Sequence, residues 1–338
     1  MAKPALAGFA ASAPALSRLQ PLLDCIAGLP LPGDAQRLFH GRGQLHPGCE
    51  AWTLDWFAPV WLLTSFEPVE AATLQLLHEA LAARWAQLAP GQPLNAVFQR
   101  RLGGHSPTQL LAGCVPDPHV VHEGGARYNV HLLRGQNHGL FLDMAAGRRW
   151  VRAHCASHPG LRVLNLFAYT CAFSVAALQG GAAQVVNLDM ARGALATGQR
   201  NHALNALDAS RASFLGHDLF NSWGKVTRGG PYGLVIADPP SYQKGSFVAA
   251  KDYARLLRRL PELLAPGGHA LLCLNAPELP PTFLAEQVAA LAPGLQFVER
   301  VPNLPAFADA DPQRALKVMV WRAPADAVPE GSGPLVTP

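Results

Sequence analysis

The sequence has no apolar run near the ~20 residues that a bilayer-spanning helix needs, so a helical membrane protein is excluded. It has no Cys-x-x-Cys pair, which removes the usual zinc ribbons and redox dithiols. Neither an internal repeat nor a heptad run is present, so solenoids and coiled coils drop out. Charged residues are scarce, at 15% against 49% hydrophobic, a balance that disordered chains do not have. The net charge of +4 is far from that of a histone-like nucleic-acid coat. The 31 glycines and 30 prolines follow no period, which excludes a collagen-like chain. What remains is a globular protein of 338 residues, long enough for two domains.

Six cysteines (Cys25, Cys49, Cys114, Cys155, Cys171 and Cys273) are scattered as in a reduced, cytoplasmic protein. His154, Cys155 and His158 cluster without a second ligand pair and read as a surface helix end; no metal is expected. The first twenty residues hold one lysine in a broken Ala/Pro stretch, unlike a signal peptide. Residues 1–125 carry a net −2 and residues 126–338 a net +6, so the basic excess lies in the C-terminal part.

The pattern divides the chain into an Ala/Pro-rich segment (1–40), a small α/β domain of possible substrate recognition (41–125), a larger α/β domain (126–322) and a disordered tail (323–338). In the small domain, Trp52–Phe57 and Val60–Phe66 flank Ala58-Pro59 and read as a hairpin. Val69–Gln87 has helical spacing, and Asn95–Arg101 reads as a strand. From residue 161 short apolar strands alternate with helices. The strands are 162–167, 184–189, 213–215, 232–238 and 270–275; the helices are 174–179, 191–207 and 250–264, the last stopped by Pro266-Gly267-Gly268. This rhythm means a doubly wound, mostly parallel, seven-stranded Rossmann-like sheet. Gln296–Val301 and Ala315–Trp321 have no helix-length segment between them, so they form an antiparallel edge hairpin, the mark of a methyltransferase-type sheet.

In such a sheet the ligand lies beyond the carboxyl ends of the strands. The first strand runs into Asn165-Leu-Phe-Ala-Tyr-Thr-Cys-Ala-Phe173, the second ends at Asp189 and the third leads to His217-Asp218. An acid at the second position commonly takes ribose hydroxyls, and one at the third can reach an adenine amino group. The first turn lacks Gly-x-Gly-x-x-Gly; Ala168, Thr170, Cys171 and Ala172 stand at its close-approach positions. A pyrophosphate needs glycine there, so NAD and FAD are disfavoured, whereas S-adenosyl-L-methionine carries an amino acid instead and tolerates the loop. Asn165, Phe167, Tyr169, Thr170, Asp189, Met190 and Asp218 are the candidate cofactor residues.

The fourth strand ends in Asp238-Pro239-Pro240-Ser241. Two prolines stiffen the turn and remove amide hydrogens, leaving carbonyls as acceptors for an exocyclic amine or a base edge. Asp238 could orient that group or accept its proton. Tyr242 and Phe247 could stack on an extruded base, and Lys244 could contact phosphate. The pairs Arg100-Arg101, Arg148-Arg149 and Arg258-Arg259 are further phosphate candidates or solvated helix faces.

Gln136-Asn-His-Gly-Leu-Phe-Leu-Asp143, Val163-Leu-Asn-Leu-Phe-Ala-Tyr-Thr170, Asn187-Leu-Asp189 and Asp238-Pro-Pro-Ser-Tyr-Gln-Lys244 together resemble one family. It is the class I S-adenosylmethionine-dependent methyltransferases related to the bacterial large-subunit (23S) rRNA cytosine-5 and guanine-7 enzymes. The resemblance implies that Phe141 and Asp143 lie near the cofactor. Three departures stand out: no recognisable PUA domain at the start, Ala145 where the family has arginine, and Asn275 where the cytosine-5 relatives place a nucleophilic cysteine. Carbon-5 of cytosine reacts only after a thiolate adds to the ring. Asn275 can hydrogen-bond a base but cannot add to it, and Cys273 sits two residues back in an apolar run. The expectation is therefore a base methyltransferase acting on ribosomal RNA at nitrogen, with Asp238, Pro239, Pro240, Ser241 and Asn275 as its reactive-side residues. A small-molecule or protein methyltransferase is the alternative, and an inactive cofactor-binding module a second. The sequence sets no oligomeric state.

Overall fold

The computed structural model describes residues 13–104, 106–243 and 247–325. They divide into two compact units, one of residues 1–143 with 304–312, the other of residues 144–303 with 313–338.

The first unit contains α1 (Ala13–Gly28), β1 (Gln36–His40), β2 (Trp52–Phe57), β3 (Val60–Ser65), α2 (Ala71–Leu88), β4 (Ala96–Arg100), β5 (Thr108–Ala112), β6 (His119–Glu123) and β7 (Ala126–Val130). Five strands form a sheet in the order β1-β2-β3-β4-β5. Only β3–β4 is parallel, because α2 bridges that pair. Trp52, Trp56, Trp61 and Trp85 meet Leu77 and Leu81 of α2 and Leu22 and Ile26 of α1 in one apolar core.

Two expected limits move. The segment 1–40 is not separate from the small domain: α1 buries Leu19, Leu22 and Ile26 in this core and β1 joins the sheet. The boundary near 125 moves to 143, because residues beyond β7 are tied to the sheet. Gln99 of β4 donates to the Gly135 carbonyl at 3.0 Å, and Thr108 of β5 to that of Leu133 at 2.7 Å. Residues 304–312 also belong here: the Phe307 ring lies 5.4 Å from His40 and under the Arg37 guanidinium, and Ala310 donates its N–H to the Gly43 carbonyl.

The second unit contains α3 (Ala145–Ser157), β8 (Arg162–Leu166), α4 (Ala172–Gln179), β9 (Gln184–Asp189), α5 (Arg192–Leu204), β10 (Ala212–Gly216), α6 (Trp223–Arg228), β11 (Tyr232–Ala237), β12 (Tyr242–Gln243), β13 (Phe247–Val248), α7 (Ala249–Leu257), α8 (Leu260–Leu263), β14 (Leu264–Leu274), α9 (Pro281–Leu291), β15 (Gln296–Arg300) and β16 (Lys317–Arg322). Seven strands form the sheet β10-β9-β8-β11-β14-β16-β15. The first five run parallel, and β16 enters antiparallel between β14 and β15.

Side chains alternate between the two faces of this sheet. Val163, Val185, Ile236, Leu271, Cys273 and Val318 pack under α3 and α4. Leu166, Leu188, Ala237, Leu272 and Leu274 pack under α7 and α9. Both faces are covered, which is why these strands read as unbroken apolar runs.

Pro266-Gly267-Gly268 does not stop a helix; it lies inside β14. Pairing with β11 jumps there from Tyr232–Leu264 to Leu234–His269, so the tripeptide forms a bulge, where proline's missing N–H and glycine's φ of +70° do no harm. The helix expected to 264 breaks at Arg258-Arg259 into α7 and α8, where Pro261 in the first turn of α8 has no N–H to continue the ladder of α7. Helix α9 was not expected; Pro281 at its first turn was the available signal. Residues 326–338 of the expected tail lie outside the described residues.

Candidate functional site

The strand registers fix the geometry. Leu215, Leu188, Leu166, Ala237, Leu272 and Met319 lie side by side across β10, β9, β8, β11, β14 and β16. The next residue along β9 is Asp189, and the next past β8 and β11 are Phe167 and Asp238. Asp189 and Asp238 therefore flank Phe167 at one sheet edge, two strand spacings or about 10 Å apart. Asp218 follows β10 by two residues, so all three acids stand at the carboxyl edge of the parallel strands.

The turn after β8 replaces glycine by strain. Phe167, Tyr169 and Cys171 have φ of 56°, 46° and 61°, alternating with ordinary residues. Each left-handed non-glycine residue costs about 1–2 kcal/mol, and such strain collects at functional turns. Asp189 holds the turn: its carboxylate accepts the Tyr169 N–H at 2.8 Å and the Ala191 N–H at 2.7 Å. Ala168, Thr170 and Cys171 are buried, while Phe167 and Tyr169 are half-buried and Met190 is exposed. Half-buried rings and an exposed thioether beside a fixed carboxylate suit a nucleoside with vicinal hydroxyls. Desolvation first, then the Asp189 charge, raises the Cys171 thiol well above its ordinary value, so it stays protonated.

Asn165 has a different task. Its side chain is buried and donates to Asn187 Oδ1 at 2.9 Å. Asn187 donates to Ser174 Oγ at 3.1 Å, and Ser174 lies 2.8 Å from His202 Nε2. His202 Nδ1 faces the Gly198 carbonyl at 2.7 Å, which can only accept, so Nδ1 carries the hydrogen and Nε2 accepts from the serine. Burial keeps this imidazole neutral by lowering its pKa. The chain of donors ties β8, β9, α4 and α5 together beneath the strained turn. Asn165 is thus a buried structural donor, not the cofactor contact expected of it.

Asp218 caps a short 3-10 turn, accepting the Phe220 N–H at 2.9 Å and the Asn221 side-chain amide at 2.6 Å. After Asp238, Pro239 is buried and Pro240 and Ser241 are half-buried; the Ser241 carbonyl accepts the Ala249 N–H at 3.0 Å, which sets the entry into α7. Tyr242 is 70% exposed, free of the core as base stacking requires. Phe247 is the opposite: at 1% exposure it packs against Phe167, Phe220 and Tyr253, so it cannot stack on a base. Lys244 lies outside the described residues. Asn275 is exposed just past β14, and Cys273 is fully buried. Of the arginine candidates, Arg148 is buried in α3 and faces no solvent.

Phe141 and Asp143 belong to the first unit; Phe141 is exposed, and Asp143 sits in the 3-10 turn Leu142–Met144. Sequence reasoning missed Tyr253. It is fully buried in α7, its hydroxyl donates to the Cys273 carbonyl, and burial, then Cys273 and Asp238, push its pKa well up. Its signal was an isolated polar ring on an apolar helix face. No helix of the described residues is long and apolar enough to cross a membrane.

The profile of a family described as S-adenosylmethionine-dependent methyltransferase matches residues 36–322. Ribosomal RNA large subunit methyltransferase I of Serratia proteamaculans is 35% identical over 277 residues, covering 79% of this chain and 68% of that protein. Its namesake from Aeromonas salmonicida is 30% identical over 57% of this chain, which spans only 50% of that relative's length. Among solved structures, a SAM-dependent methyltransferase from Streptococcus mutans is similar at a TM-score of 0.76 and 25% identity, covering 95% of this chain and 83% of that one. The methyltransferase SMU.776, crystallised with SAH, gives a TM-score of 0.73 at 25% identity over 91% and 79% of the two chains.

Proposed function

Because the chain belongs to the S-adenosylmethionine-dependent methyltransferase family, we propose that it methylates a ring or exocyclic nitrogen of a base in ribosomal RNA. The observation that carries the choice of nitrogen is the state of the thiols at the carboxyl edge. Cys171 and Cys273 are both fully buried, and the position beyond β14 holds Asn275. With no thiol open to the edge, addition to a cytosine ring has no nucleophile there. The relatives named as rRNA methyltransferases support RNA as partner, and a cytoplasmic location goes with that substrate.

The cofactor, S-adenosyl-L-methionine, supplies an electrophilic methyl carbon when bound. Asp189 would take the ribose hydroxyls while holding the turn after β8, and Phe167, Tyr169, Thr170, Met190 and Asp218 complete that side. Nitrogen methylation then depends on alignment of a lone pair and, for an amino group, on removal of one proton. Asp238 would orient the amine and accept that proton. Pro239 and Pro240 withhold amide donors, so the turn would offer the base acceptors rather than donors, the Ser241 carbonyl excepted, which already accepts the Ala249 N–H. Asn275 would bond the base edge and Tyr242 stack on its face.

The test is transfer of labelled methyl groups to deproteinised rRNA from a deletion strain, followed by nucleoside mass spectrometry. Uptake into deletion RNA but not wild-type RNA, appearing as an N-methylated base, supports the reading. A 5-methylcytosine product overturns the choice of nitrogen. Activity only on RNase-treated extract moves the substrate to a protein or small molecule.

A further inference from the structure

The β14–β16 ladder ends at the pair Leu274–Lys317, so the backbone that carries Asn275 has no strand partner on that side. Two fully buried side chains take over. Tyr253 of α7 donates its hydroxyl to the carbonyl of Cys273, two residues before Asn275. Lys317, the first residue of β16, donates from Nζ to the carbonyl of Ala276, one residue after it, at 2.9 Å. The two donors come from different elements and grip the chain on either side of one exposed side chain. We propose that Tyr253 and Lys317 form a clamp that orients Asn275 toward the base, making both of them positioning residues for methyl transfer.

A buried lysine Nζ is an expensive way to fill space, since an apolar side chain of similar volume avoids desolvating a polar group. Its use here matches a need for direction: a hydrogen-bond donor fixes a carbonyl more firmly than packing does. Tyr253 also lies within electrostatic range of Asp238, whereas Lys317, on β16, grips from the far side of β14. Its raised pKa keeps the hydroxyl protonated, hence a donor, throughout the working pH range. A displacement of about 1 Å at a reacting group can cost ~100-fold in rate, so a strand end left to fray would be felt in turnover.

The clamp rests on the substrate-side reading of Asn275, and the experiment separates the two. Hydrogen–deuterium exchange is measured on the full chain without substrate for wild type, Tyr253→Phe and Lys317→Met. Exchange across residues 275–279 should rise about tenfold or more in both variants, with β8 and β9 unchanged; unchanged exchange at 275–279 overturns the clamp. Tyr253→Phe removes one oxygen and keeps the ring, so it serves as the folded variant if Lys317→Met proves unstable. Kinetics with rRNA then follow. Tyr253→Phe should lower kcat about tenfold with the S-adenosylmethionine Kd within twofold of wild type, and should have no further effect in an Asn275→Ala background. An equal loss in both backgrounds makes Tyr253 merely structural and overturns the positioning role. Wild-type kinetics for Asn275→Ala would sink the reading of Asn275 itself, and the positioning role with it, while the exchange data still report whether the grip exists.

Discussion

The backbone N–H of Tyr169 donates to Oδ2 of Asp189 at 2.8 Å, across the gap between two neighbouring strand ends. One carboxylate therefore holds the strained turn in shape and stands ready for a ligand. Asp189→Asn removes the charge and offers an amide nitrogen to one of two N–H donors. Charge-assisted bonds of this kind contribute about 1.5–3 kcal/mol. S-adenosylmethionine affinity should fall by at least tenfold, read by titration calorimetry.

Asp238 stands at the same edge, and the proposed function assigns it to the substrate side. Asp238→Ala should lower kcat at least ~30-fold while leaving S-adenosylmethionine affinity within about twofold, since general-base groups contribute ~10²–10⁴ in rate. If calorimetry shows the affinity falling instead, Asp238 belongs to the cofactor side.

The donor chain from Asn165 to His202 is buried throughout. Asn187→Ala cuts it in the middle, strands the amide of Asn165 and takes one donor from Ser174 Oγ, which keeps its bond to His202. A destabilisation of about 2–3 kcal/mol follows, seen in urea unfolding as a lower midpoint with an unchanged slope.

Helix α5 ends with Leu207 donating to the His202 carbonyl and Ala206 to that of Ala203, a Schellman closure whose left-handed residue, Ala206, has a φ of 52°. Glycine fits that conformation without strain, and Ala206 is exposed. Ala206→Gly should stabilise the protein by about 0.5–1 kcal/mol, the strain relieved less the added entropy of the unfolded chain. Thermal unfolding should show a Tm about 1–4 °C higher.

His154 packs on Trp150, His158 and His269, and desolvation first, then the neighbouring imidazoles, lowers its pKa to about 4. His269 is lowered as well. The unfolded chain takes up protons near the ordinary histidine value of about 6.5 while the folded protein refuses them until about pH 4. Stability is thus fully present above pH 6.5 and falls as the pH drops toward 4. His154→Gln should flatten the decline of Tm between pH 7 and 5.

The seven-stranded sheet was legible because its strands are buried on both faces and are separated by helices, a pattern that composition alone carries. Asp189 and Asp238 could be found for the same reason: the edge of a parallel sheet is set by where apolar runs stop. Asn165 and Phe247 were misjudged because polarity and aromaticity do not say which way a side chain turns; both turn inward. The bulge in β14 was hidden because Pro266-Gly267-Gly268 reads the same as a helix stop until a partner strand is known. Tyr253 and Lys317 bond to backbone carbonyls far along the chain, and the sequence around each does not name that partner.

The nine residues Leu304–Pro312 join a unit whose remaining members all precede residue 144. During synthesis, the first 143 residues leave the ribosome without the piece that carries Phe307 to His40 and Arg37. That unit can finish folding only once residue 312 has been translated. A truncation at residue 143 would leave the seat of Phe307 open to water.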